Sequence, residues 1–195
     1  DDGSLHHWQY HNVLNVESDA TVVLAHAQDI TNQYRQEKQL LEWSFTDPLT
    51  NCHNRRFLDE LDKRDPNVCW GCIVVDLDKF KLVNDTHGHQ RGDEVLVQMA
   101  WFLNQPLRPQ DCLVRLGGDE FLVLLHQAAQ AQLEELTGDY MAAIDDAPIH
   151  FTLGTALRQE GEALAALVDR ADHSLYSLRR ARAAIPNQIT SPKAV

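Results

Sequence analysis

The alternation of apolar and polar positions divides the chain into short extended runs and longer amphipathic ones. Residues 111 to 126, DCLVRLGGDEFLVLLH, set two glycines and two acids between runs rich in Val, Leu and Phe. That pattern predicts a tight hairpin over 112 to 126. Gly117 and Gly118 permit φ > 0 at its tip and let another molecule approach the backbone closely. Asp119 and Glu120 follow, and strand alternation directs them to opposite faces. Elsewhere the periodicity predicts helices near 54–63, 79–85, 93–104, 129–144 and 163–183, with strands near 69–77 and 148–156. This βααββαβα order implies an α+β fold with helices packed on one face of a mostly antiparallel sheet.

Residues 5–27 add two extended stretches, LHHWQYHNVLNV and ATVVLAHA, separated by the turn-like ESDA. Two strands alone cannot bury a core, so they read as the end of a domain that starts upstream. Asp29 to Thr31 then open a polar helical run to about Ser44. Ala27, Ile30, Tyr34 and Leu41 fall there on a or d heptad positions, while Glu37 interrupts the seam. A solvated connecting helix and a short parallel coiled coil both satisfy that pattern. In FTDPLT, Asp47 suits a helix cap and Pro48 the first helical position.

With 195 residues the chain can bury one full core and carry a second element. Its 17 basic and 29 acidic residues give a net charge of −12, which argues against broad binding to nucleic acid or an anionic membrane. A local basic pocket for one nucleotide remains compatible with that balance. No apolar run approaches the ~20 residues of a membrane span and no signal-peptide pattern opens the chain, so a soluble, cytoplasmic fragment without membrane contact is expected. Of the four cysteines, Cys69 and Cys72 form a CWGC pair that runs into a β-branched strand rather than a helix N-terminus. Packed, reduced thiols are therefore expected, as in a reducing cytosol.

The strand CIVVDLDKF ends in Asp76 and Asp78, which share a face. If that strand lies beside the hairpin, one of these carboxylates and Asp119 can meet as a hard oxygen site of the kind Mg²⁺ takes together with phosphate oxygens. Solvated turn residues at strand ends are the competing reading.

RLGGDEF, together with DLDKFKLVNDTHGHQRGDEVL, DPLTNCHNRR, RPQD and ADHSLYSLRR, closely resembles the GGDEF domain of diguanylate cyclases over roughly residues 45–185. The motifs keep the family's order and spacing. Upstream, HHWQYHN…VVLAHAQDIT resembles the last strands and exit helix of a PAS sensor domain. The resemblance divides the chain into a PAS-like remnant at 1–28, a signalling helix at 29–46, a catalytic domain at 47–186 and a tail at 187–195.

The family's fold is polymerase-palm-like, a mostly antiparallel sheet flanked by helices. What it implies is a homodimer in which each of two facing domains holds one GTP, the two being condensed to cyclic di-GMP and pyrophosphate. By this resemblance Asp76 and Asp119, with the Leu77 carbonyl, hold two Mg²⁺ (or Mn²⁺) ions, and Asp119 can also accept the hydroxyl proton. Glu120 assists at the metal and Lys81 offsets phosphate charge. Asn84 and Asp93 read the guanine edge, and His89 lines the pocket. Taken alone, Asp93 also fits the cap of the helix DEVLVQMAWFL, and Asn84 a helix terminator.

Departures from the family accompany the matches. Its last helix usually carries a Lys and, four residues on, an Arg for the γ-phosphate. Arg179 fits the first position and Ala183 replaces the second, with Arg182 as the nearest substitute. A Ser usual in the late strand is Leu153. Arg108 and Asp111, in RPQD, stand where the family carries its inhibitory product site. From Leu116 to Leu157 there is no Lys or Arg, where a second arginine for that site is expected, so product inhibition is expected to be weak. A catalytically silent module that binds GTP or cyclic di-GMP, and a dimerising scaffold, are the rival readings.

Overall fold

The computed structural model describes residues 5–17 and 20–184, with side chains described outside 13–24, 37–43 and 182–184. The expected tail at 187–195 therefore lies outside the described residues. The chain divides after Ser44 into two units.

In the N-terminal unit β1 (Trp8–Glu17) and β2 (Ala20–Asp29) pair antiparallel, with Trp8 opposite Asp29 and Glu17 opposite Ala20. Helix α1 spans Thr31–Ser44. It starts two residues later than the polar run suggests, because Asp29 is held in β2 and serves as the cap: the Thr31 N–H donates to Asp29 Oδ1 at 2.9 Å. The Ile30 N–H donates to the His7 carbonyl at 2.9 Å, and the His7 ring stacks on Tyr34 with centroids 3.9 Å apart. Hairpin root and helix start are thus locked locally. The heptad positions Glu37 and Leu41 fall among the side chains that are not described.

Five strands form the sheet of the second unit, in the order β3-β5-β6-β4-β7. They are β3 (His53–Asn54), β4 (Trp70–Leu77), β5 (Cys112–Gly117), β6 (Glu120–His126) and β7 (Phe151–Leu157). Only the two-residue β3, which no periodicity could announce, runs parallel to its neighbour. The helices are α2 (Arg56–Arg64), α3 (Phe80–His87), α4 (His89–Asn104), α5 (Gln130–Ala142) and α6 (Leu164–Ala184).

They cover both faces of the sheet, not one. On one face Ile73, Val75, Phe121, Val123 and Phe151 pack with Phe80, Met99, Leu103 and Leu133 from α3, α4 and α5. On the other, Trp70, Cys72, Val74, Leu122 and Leu124 pack with Phe57 and Leu61 of α2 and Leu167, Ala171 and Leu175 of α6. The signal for two-sided burial is present in WGCIVV, an uninterrupted apolar run where a one-sided strand would alternate.

Two further local expectations change. Pro48 does not open a helix: Asp47 Oδ1 accepts the Thr50 N–H at 2.9 Å, and Asn51, at φ 58°, ends the single turn that results. Helix α4 begins at His89, so Asp93 lies inside the helix and does not cap it. All four cysteines are free, and burial pushes the Cys112 thiol up to about 11. No helix among the described residues is long and apolar enough to cross a membrane.

Candidate active site

Sheet register brings the acids together. Asp76, next to last in β4, lies directly opposite Glu120 of β6 and Thr152 of β7. Residues facing each other across a ladder share a face, so both carboxylates lie on the α2 and α6 side. Between β5 and β6 the chain turns through Gly118 at φ 54°, with a bulge between Arg115 and Gly117. Asp119 sits in that turn, and its carbonyl accepts the Leu77 N–H at 3.3 Å, tying the tip to the end of β4.

Arg179 reaches across from α6. Its Nη1 donates to Asp76 Oδ2 at 2.9 Å, its Nη2 to Asp76 Oδ1, and Nη2 also lies 3.5 Å from Asp78 Oδ1. The Thr152 hydroxyl donates to that Asp78 oxygen at 2.8 Å. Burial pushes the Glu120 carboxyl above its usual range, and the negative charges of Asp76, Asp119 and Asp172 push it further. Such a crowd of carboxylates favours a cation.

Among the described residues no three His, Cys, Asp or Glu side chains converge as a metal nest. Mg²⁺ takes one or two carboxylates plus phosphate oxygens rather than an all-protein cage, and the chemistry of this corner is of that kind, with both Asp76 oxygens held by Arg179 in this structure. Asp76, Asp119 and the Leu77 carbonyl are the groups that would hold it. A cleft of about 640 Å³ between α2 and α6 opens beside Glu120 and is lined by Arg55, Arg56, Asp59, Asp169 and Asp172.

The residues expected to contact the base and phosphates lie on α3 and α4, which pack on the other face of the sheet from α2 and α6. Lys79, in the left-handed region at φ 59°, turns the chain from β4 into α3, so the first N–H groups of α3 lie close after the carboxylates in sequence. Lys81, His89 and Asp93 are exposed and Asn84 is half-buried. Among the described residues, no hydrogen bond or ion pair engages any of these four side chains. Gly88, at φ 83°, separates the two helices, and Gly92 of α4 is buried against Asn84.

Arg115, two residues before the glycines, was not singled out by its sequence pattern, yet it braces the tip. Its Nε and Nη2 donate to the Gly118 carbonyl at 3.2 and 2.8 Å, and its Nη1 donates to Asp47 Oδ1 at 3.2 Å. The usable signal was its place inside RLGGDEF, in the same resemblance as DPLT. Arg108 and Asp111 stand apart from these groups. Asp111, with a side chain 2% exposed, takes the Arg108 N–H, Nε and Nη2 donors and the His126 N–H. Its oxygens are thus occupied, and Arg108, 40% exposed, is the member a ligand can reach. The side chains of Arg182 and Ala183 lie outside the described part of α6. Leu153 is buried in the core on the α4 side.

The profile of the family described as "Diguanylate cyclase, GGDEF domain" matches residues 44–184. The chain is 35% identical over 185 residues to the diguanylate cyclase DgcP of Pseudomonas aeruginosa, covering 87% of this chain and 26% of DgcP. It is 34% identical over 160 residues to the response regulator PleD of Caulobacter vibrioides, covering 71% and 35% of the two chains. It thus spans about a third or less of these curated relatives. The coiled coil and GGDEF domain of DgcB from Caulobacter crescentus, solved in complex with c-di-GMP, superposes with a TM-score of 0.69 at 27% identity, covering 78% of this chain and 89% of that one. With the family model matching residues 44–184 and a diguanylate cyclase 35% identical over 185 residues, the chain belongs to the GGDEF-domain family of diguanylate cyclases.

Proposed function

We propose that residues 47–186 condense two GTP into cyclic di-GMP and two pyrophosphates, each domain of a homodimer holding one GTP. The observation that carries this reading is the cross-strand pairing of Asp76 with Glu120, with the Asp119 turn tied to Leu77. Phosphoryl transfer needs in-line positioning and charge neutralisation more than covalent help, and carboxylates gathered at the strand ends are the kind of group that holds the cations that neutralise phosphate charge. When bound at Asp76, Asp119 and the Leu77 carbonyl, two Mg²⁺ or Mn²⁺ ions would neutralise phosphate charge and polarise the attacking 3′-hydroxyl.

Asp119, in the turn, accepts the hydroxyl proton, and Glu120 supports it. Lys81 and the first N–H groups of α3 take phosphate oxygens. Arg179 leaves Asp76 to meet the γ-phosphate. Asp93 accepts the guanine N–H donors, Asn84 meets N3, and His89 lines the base pocket.

Upstream, residues 1–28 act as the end of a PAS-like sensor and 29–46 as the helix that transmits its signal. Cyclic di-GMP binds at Arg108, oriented by Asp111, and inhibits weakly because no Lys or Arg lies between Leu116 and Leu157 to reinforce the site. Incubation of the purified chain with GTP and Mg²⁺ should yield cyclic di-GMP by mass spectrometry, with specific activity rising with protein concentration as dimers form. No product at any concentration would overturn the reading. The Arg179 contact on Asp76 favours one rival, a silent module that binds GTP or cyclic di-GMP as a receptor. That reading predicts nucleotide binding without turnover in the same assay.

A further inference from the structure

Gly92 lies inside α4, where a glycine weakens the helix relative to alanine. Its backbone is not in the left-handed region, so conformation does not demand it. Space does. A Cβ at residue 92 would stand 1.9 Å from Asn84 Oδ1 and 3.0 Å from Asn84 Cγ, with Phe80 Cζ next at 3.3 Å. The Asn84 carboxamide therefore fills the volume that any side chain at this position would take. Phe80, 7% exposed, anchors the start of α3 in the core, so the mobile member of the contact is the Asn84 side chain.

We infer that Gly92 is a positioning residue for the nucleotide base: its missing side chain seats the Asn84 carboxamide between α3 and α4, against the turn of α4 that carries Asp93. This rests on the reading of Asn84 as a base contact. No described hydrogen bond engages the carboxamide, so packing against the glycine, not a protein partner, sets where it lies. The residue after the seat is Asp93, so one turn of α4 both places the amide and supplies the carboxylate. Alanine at 92 drives the Asn84 side chain out of its seat, while α4 gains helix propensity and Asp93 stays where it is.

The test uses the purified chain with Mg²⁺ and 3′-deoxy-GTP, which lacks the attacking hydroxyl and reports binding without turnover. Calorimetry should show Asn84→Ala weakening binding about tenfold. Gly92→Ala should weaken it by a similar factor, and the double variant should bind no more weakly than Asn84→Ala alone, because both changes remove one interaction. The melting temperature of Gly92→Ala should equal or exceed that of the parent. Unchanged binding in Gly92→Ala beside a weakened Asn84→Ala would overturn the inference and leave the base site standing. Full additivity of the two losses, or a Gly92→Ala protein that melts several degrees lower or fails to fold, would equally assign the glycine to helix packing. Parent-like binding in Asn84→Ala would instead remove the base-site reading, and the inference with it.

Discussion

Arg179 shows how a single residue can answer two electrostatic demands. On Asp76 it offsets negative charge in a corner that also holds Asp78, Glu120 and Asp119, and on a bound nucleotide it would serve the phosphates. The Asp119 side chain has no such structural duty, since the turn is tied through its carbonyl. Asp119→Asn should therefore leave the melting temperature within a degree or so and lower cyclic di-GMP formation by about a hundredfold or more. Parent-like turnover at saturating Mg²⁺ would remove Asp119 from the metal site. Arg115 acts at one remove, through the Gly118 carbonyl. Arg115→Ala should cost about 1–3 kcal/mol in urea unfolding, because it leaves the half-buried Asp47 carboxylate without its cationic partner, with only the Thr50 donors remaining. It should also lower turnover by loosening the tip. Asp47→Asn separates the effects, since it removes the ion pair and keeps both bonds to Gly118; a loss of turnover equal to that of Arg115→Ala would place the effect in the ion pair rather than the tip.

At the scale of elements, the approach of α6 to β7 decides where Arg179 stands. A Cβ on Gly154 would come within 2.3 Å of the Ala171 carbonyl oxygen and the Leu175 nitrogen, both backbone atoms of α6. No side-chain rotation relieves that contact. Gly154→Ala should destabilise the fold by at least the 1–3 kcal/mol typical of overpacking. It should also raise the KM for GTP, because the helix that carries Arg179 must lift. A urea midpoint equal to the parent's would show that α6 has slack the packing does not suggest. The contrast with Gly92 is physical: there the obstructing atom ends a flexible side chain, whereas here it belongs to a helix backbone.

For the whole molecule, two turns built around partly buried carboxylates link stability to pH. Burial alone would raise the Asp111 carboxyl, but donors from the Arg108 side chain and backbone and from the His126 N–H, with the Arg108 charge, hold it below its usual range. Asp47 follows the same pattern: burial opposes ionisation, and Thr50 and Arg115 outweigh it. A carboxyl whose folded pKa is depressed contributes stability that is complete above the unfolded value and is lost as pH falls through the folded one. Stability should thus hold from neutral pH to about 4, near the unfolded Asp value, and fall below it. Urea titrations between pH 6 and 3 check this, and Asp111→Asn should flatten the acid limb. A parent whose stability is unchanged to pH 3 would deny both turns this role.

Local pattern alone was enough to announce the hairpin over 112–126, the strand ending in Asp76, and the helices around them, because apolar period and glycine punctuation are properties of neighbouring residues. Motif spacing was enough to bring Asp76, Asp119, Asn84 and Asp93 under suspicion. Contacts made across long separations were beyond its reach. The strand order, the parallel β3, and the covering of both sheet faces depend on which distant segments meet, as does the pairing of Asp76 with Glu120 rather than with Asp119. So does the hold of Arg179, 103 residues downstream, on Asp76, and of Arg115, 68 residues from its partner, on Asp47. Asp111 was legible as a candidate ligand, yet only the folded chain surrounds it with four donors and turns it into the anchor of Arg108. Residue identity determines which chemistry a position can perform; packing determines which of its atoms are already spent.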